Sequence, residues 1–127
     1  MDLKNYCVPN SSIWKGRVDN PEDIDSFRMH QIVQLVDLTN LSSVDKKSSK
    51  SNICFVGFNC DEGVIRNLGR EGAKHGAKYI RREFANLPVT FGTKMEIFDA
   101  GDIDCVDGNM EEAQEQLKLA VSLLIDN

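Results

Sequence analysis

Arg66 and Arg70 stand one helical turn apart in a segment that also carries glycines at 57, 63, 69, 72 and 76. A guanidinium offers planar, paired N–H donors that match a carboxylate, and glycines let a backbone turn close beside something bulky or charged. Asp61 and Glu62 lie just upstream and Asn67 lies between the arginines. The two acids could receive an ammonium group or hold the arginines. The residues alone leave both outcomes open: a loop that recognises a small anion, or four charges that pair with one another and stiffen the loop.

Other chemistries find less support. Neither phosphate-binding pattern, G-x-x-x-x-G-K-[ST] or G-x-G-x-x-G, occurs, so a nucleotide reading has no motif behind it. The acidic cluster Asp99, Asp102, Asp104 and Asp107 lacks the twelve-residue calcium-loop pattern and reads as a strand-end turn followed by a helix start. His30 and His75, the two histidines, are far apart and have no carboxylate at ligand spacing. Cys7, Cys54, Cys60 and Cys105 show no CxxC spacing and read as reduced thiols packed as small apolar groups, with Cys60 the one placed in the Gly-rich loop.

These residues need elements to position them. Residues 1–25 are polar and turn-rich, an irregular arm that Trp14 would anchor; the apolar residues of 26–38 fit neither the helical nor the strand period cleanly, and Ser26 as a cap points to a short helix there; the Ser/Lys-rich stretch 42–51 reads as a mobile surface loop. The run 53–58 then predicts a fully buried parallel strand, followed by the Gly-rich loop and a helix with Ala77, Ile80, Phe84 and Leu87 on its inner face, stopped by Pro88. Residues 95–99 predict a second strand, with Gly101, Asp102, Asp107 and Gly108 in the turn after it. A last helix starts at the N-cap Asn109 and lines up Met110, Ala113, Leu117, Ala120, Val121 and Leu124. The order β, α, β, α over 51–127 predicts an α/β fold with a parallel sheet and right-handed crossovers. Two strands leave such a sheet incomplete, which suggests an interrupted domain.

Composition narrows the partners. With 15 Lys and Arg against 20 Asp and Glu, a net charge of −5 and no basic stripe, nucleic acid is not an expected partner. No apolar run is long enough to span a membrane and the first residues lack the apolar core of a signal peptide, so the expectation is a cytoplasmic protein with no membrane partner.

Three blocks of this sequence together resemble the formimidoylglutamases of the arginase/ureohydrolase superfamily. The first is Trp14-x-Gly16-Arg17-x-Asp19 with Arg28-x-His30-Gln31. The second runs Gly57-Phe58-x-Cys60-Asp61-Glu62-Gly63-Val64-x-Arg66-Asn67-x-Gly69-Arg70-x-Gly72-Ala73 and continues to Gly76 and Arg81. The third is Asp99-x-Gly101-Asp102. Gly76-Ala77 departs from the Gly-Pro that the family often carries, which removes a favoured first-turn proline without a change of fold.

The resemblance implies that residues 1–127 are the N-terminal portion of a three-layer αβα sandwich with a parallel sheet, an arginase-like fold that is incomplete in this chain. It also implies a parent hydrolase that converts N-formimidoyl-L-glutamate and water to L-glutamate and formamide, in histidine degradation, with two Mn²⁺ ions activating the water. The family's metal ligands come from Gly-Gly-Gly-His-like, Asp-x-His-x-Asp and Asp-x-Asp segments. Asp102-Ile103-Asp104 imitates the last without a His partner, so neither a metal ligand nor a catalytic residue is expected in this chain, and the chain alone is expected to be inactive. Asp61, Arg66, Asn67 and Arg70 are the candidate substrate-binding residues, with Arg66 or Arg70 holding a substrate carboxylate. Two alternatives stand beside this reading: a ureohydrolase acting on agmatine or another guanidino compound, and a small non-catalytic α/β module that binds an anion. A homo-oligomer formed across the unfinished sheet edge is a further expectation.

Overall fold

The structure, a computed structural model, describes residues 2–41 and 51–127. The expected surface loop at 42–50 lies outside the described residues, whereas Ser51 is already the first residue of a strand. The chain is a mixed α/β fold. Its strands are β1 (Tyr6–Cys7), β2 (Gln34–Leu35), β3 (Ser51–Asn59) and β4 (Met95–Asp104), and its helices are α1 (Met29–Ile32), α2 (Glu62–Arg66), α3 (Gly76–Ala85) and α4 (Met110–Asp126).

The strand at the centre is β4. It pairs in parallel with β3 from Ser51↔Met95 to Asn59↔Asp104; on its other edge it takes β2 in parallel at Gln34↔Phe98 and β1 antiparallel at Tyr6↔Ile103. Ile97, Asp99, Ala100, Gly101 and Ile103 are accordingly buried. By contrast β3, the strand expected to be fully buried, has one paired edge among the described residues and leaves Ile53 46% exposed. Strand β4 also runs five residues past the expected end, so Gly101, Asp102 and Asp104 lie in the strand rather than in a turn. Between Phe55↔Asp99 and Gly57↔Asp102 the register shifts, and the extra residue on β4 is absorbed where Gly101 adopts φ +85°.

The first forty residues do more than lie across the domain. The helix expected over 26–38 is a single turn, α1, because Val33 turns extended at φ −65°, ψ 131° and hands the chain to β2. The Tyr6 hydroxyl donates to the Ala100 carbonyl (2.6 Å) and accepts from the Leu38 amide (3.2 Å), tying β1, β4 and the segment after β2 into one patch. Trp14 does anchor this region: its ring lies 6.0 Å from Phe55 and 6.2 Å from Phe84, whose rings are 5.0 Å apart. Such aromatic pairs contribute about 0.5–1.5 kcal/mol each beyond their area.

Helix α4 forms as its pattern demands. The Asn109 side chain accepts from the Glu112 amide (3.2 Å) and donates to the Glu112 carboxylate (3.1 Å), while Ala113 and Ala120 are buried against Leu38, Ala100 and Ile103. Val121, placed on the inner face by periodicity, is 38% exposed. Helix α3 is rotated from the expected face. Arg81 and Ala85 are its buried residues, and Ile80 and Leu87 are 62% and 50% exposed. The rotation follows from the carboxylates on β4, which draw the Arg81 side chain inward.

Candidate functional site

The Gly-rich segment leaves β3 at Asn59, makes the short α2, and returns to α3 through a turn at Ala73–His75. Asp61 is nearly buried and its Oδ1 accepts from the Lys74 amide (2.6 Å) and the Gly72 amide (3.3 Å). It therefore folds the loop back on itself and pairs with no arginine. Two residues in the loop hold left-handed backbone: Leu68 at φ 57° and Gly72 at φ 141°. The second conformation is one that glycine adopts without a Cβ penalty. Leu68, 95% exposed, and Arg70 stand on the outward side of this turn.

The two arginines meet different fates. Arg66 donates through Nε to Glu62 (3.2 Å) and through its terminal nitrogens to both oxygens of Glu111, one of them at 3.1 Å. That pairing raises the Arg66 guanidinium and holds the Glu111 carboxyl down at about 2, well below the usual carboxylate range. Arg70, in contrast, makes no hydrogen bond or ion pair among the described residues and is exposed. Asn67 caps α2, its amide and its side chain (3.1 Å) both donating to the Gly63 carbonyl.

The four candidate residues do not converge on one cavity. A polar cleft of about 160 Å³ is lined by Asp61 with Asn59, Glu62, Glu71, Lys74 and Cys105. A larger, more apolar depression of about 430 Å³ includes Asn67, Phe58, Cys60, Val64 and Met110. Arg66 and Arg70 line neither.

Beneath the loop lies a buried polar cluster that the spacing of the sequence did not reveal. Arg81, 3% exposed, donates to Asp99 (2.9 Å), to Asp102 (2.7 Å) and to the Gly101 carbonyl (2.9 Å). Asp99, 1% exposed, also accepts from the Trp14 indole (2.7 Å) and the Gly101 amide (2.9 Å). The third sequence block thus works as an acceptor platform for Trp14 of the first block and Arg81 of the second. The remainder of the first block clasps the arm: Arg28 binds Asp19 (3.1 Å) and the Asn86 carbonyl (2.6 Å), and His30 Nε2 lies 2.9 Å from the Arg17 carbonyl. The signal available for this cluster was the presence of Arg81 and Trp14 in the quoted blocks, with nothing to say that they meet.

The arginase family profile matches residues 51–127. A formimidoylglutamase of Geobacillus thermodenitrificans is 40% identical over 123 residues, which is 96% of this chain and 37% of that protein. One of Lysinibacillus sphaericus is 40% identical over 120 residues (94% and 36%), and one of Clostridium tetani 39% over 121 residues (95% and 36%). The chain spans a little over a third of the length of the curated relatives it matches.

Proposed function

This chain belongs to the arginase family, and from that premise we propose that it is the N-terminal part of a formimidoylglutamase, the hydrolase that converts N-formimidoyl-L-glutamate and water to L-glutamate and formamide. The observation that supports this choice is the name shared by the relatives, each similar along 94% of this chain or more. In this reading the protein acts in histidine degradation in the cytoplasm on a small-molecule substrate. No helix of the described residues is long and apolar enough to cross a membrane. A homo-oligomer belongs to the same reading.

Two Mn²⁺ ions are the cofactor of the parent in this proposal, and they supply it with a metal-activated water. The donor set of the described residues does not fit them. Among the described residues no group of three or more His, Cys, Asp or Glu is placed to hold a metal ion, and Asp99 and Asp102 already face Arg81. In the same proposal the residues of this chain take substrate-side roles, and the chain by itself is inactive. Titration of the 127-residue chain with MnCl₂ in a calorimeter should give no stoichiometric heat; tight binding, or formamide release that survives repurification, would overturn this part of the proposal.

The substrate is a dianion, and Arg70 is the residue we assign to one of its carboxylates. Its guanidinium is free among the described residues, whereas that of Arg66 is taken by Glu62 and Glu111. Asp61 and Asn67 shape the turn that presents it. A charge-assisted hydrogen bond contributes about 1.5–3 kcal/mol, so Arg70→Ala in the full-length enzyme should raise KM roughly 10- to 100-fold with a smaller change in kcat. An unchanged KM refutes the role. A substrate panel separates this reading from a guanidino hydrolase, since agmatine lacks the carboxylates that Arg70 would hold.

A further inference from the structure

Strands β3 and β4 run in parallel register to Asn59↔Asp104, and one step further the register brings Cys60 opposite Cys105. The backbone holds the ladder closed up to that step, since the Cys105 amide donates to the Asn59 carbonyl (3.1 Å) and completes the Asn59–Asp104 pair, and the Cys105 thiol lies within hydrogen-bonding reach of the Cys60 sulfur. Paired positions on neighbouring strands lie about 4.8 Å apart, inside the roughly 4.4–6.8 Å window of Cα separations that a disulfide spans. Both thiols are half-buried. The other cysteines have different neighbours: Cys54 is opposite Phe98, and Cys7 is opposite Asp102 with its thiol on the Asp104 carboxylate (3.1 Å).

We propose that Cys60 and Cys105 form a reversible redox pair that closes a disulfide between the carboxyl ends of β3 and β4. The oxidant class is a low-molecular-weight disulfide such as oxidised glutathione. The Cys60 thiolate attacks one glutathione sulfur, the glutathione S–S bond breaks, and one glutathione thiolate leaves. Cys105 then gives up its proton and attacks the Cys60 sulfur, forming the protein disulfide and releasing the second glutathione. Two protein thiols are oxidised while one glutathione disulfide is reduced to two thiols. Cys60 leads because burial, and then the neighbouring Cys60 sulfur itself, pushes the Cys105 thiol up to about 11 and leaves it the poorer first nucleophile. A bridge at these half-buried positions near the strand ends is within reach of a small thiol, which places it among labile, reversible disulfides rather than permanent staples. It would tether the residue before Asp61, the N-cap of α2, to the loop that precedes α4.

The test is peptide mapping of the whole chain without reductant after incubation with oxidised glutathione. The expected product is one intramolecular bridge joining the Cys60 and Cys105 peptides, with Cys7 and Cys54 still open to alkylation, and full return of four thiols on adding dithiothreitol. Cys105→Ser should halt the sequence at a glutathione adduct on Cys60. The double variant C7S/C54S should bridge as the parent does, which guards against reshuffling as the source of the product. If Cys60 and Cys105 both stay alkylatable, or if the bridge joins either of them to Cys7, to Cys54 or to a second chain, the pair does not exist.

Discussion

At Arg81 a guanidinium sits out of water against two carboxylates, and its Nε has no partner among the described residues. Desolvation works against its charge, and Asp102 and Asp99 outweigh that and keep it raised. Removing one member of such a buried set leaves the other charge uncompensated, at a cost of about 3–5 kcal/mol. Arg81→Ala should therefore move the urea midpoint far more than Arg81→Lys, which keeps the charge and loses the fork that reaches Asp99, Asp102 and Gly101 together. Equal losses for the two would show that packing, not the charge, matters at this position. The contrast with Arg66 is instructive. Both arginines bind two carboxylates, yet Arg66 is 43% exposed, and an ion pair in solvent contributes little. The sequence displayed both arginines in one block and could not tell which was buried, because burial depends on what β4 brings beneath α3.

At the scale of elements, β4 is shaped by one glycine. A Cβ on Gly101 would lie 2.1 Å from the Cys7 carbonyl oxygen and 2.9 Å from the Pro9 nitrogen, at a backbone angle of φ +85°. Gly101→Ala must strain the strand, at about 1–3 kcal/mol for the backbone conformation, and push β1 away. Hydrogen exchange should then quicken at the Asp104 amide, which donates to Asn5 (2.9 Å), as well as lowering the melting temperature. Gly76 is the control. Nothing lies within 4 Å of its added Cβ, it sits at φ −60° at the start of α3, and Gly76→Ala should stabilise by about 0.4–1 kcal/mol. A Gly101→Ala protein that melts with the parent would dissolve the account of the bulge. The strings for β3, β4, α3 and α4 were legible locally, since periodicity and capping belong to contiguous residues. The pieces β1, β2 and α1 were not, since two paired residues carry no periodicity and their strand character comes from docking on β4.

For the whole molecule the open question is the outer edge of β3. This nine-residue strand includes Ile53, Cys54, Phe55, Val56 and Phe58 and is paired on one side among the described residues. An unpaired edge of that length and composition is a template for another strand. Purified chain should therefore self-associate as concentration rises, in light scattering after size-exclusion chromatography, and Ile53→Lys should weaken that association by placing a charge on the edge. A strictly monomeric chain at millimolar concentration would mean that the edge is not a pairing surface.

The amino-acid sequence by itself determined the order of the β3 to α4 core, the Gly-rich turn after β3, the cap of α4 and the blocks shared with the arginase family, because each is written in neighbouring residues and in backbone preferences. Tertiary structure alone decided that β4 rather than β3 is central, that α3 turns Arg81 inward and Ile80 outward, and that the Cys60 and Cys105 side chains come within reach of each other. It also decided that, among the described residues, Arg66 is engaged while Arg70 stands free. Those outcomes rest on partners far apart in the chain, such as Trp14 and Asp99, separated by 85 residues. The energy of an ion pair or a thiol contact depends on distance and on exclusion from water, and both are set only when the layers close.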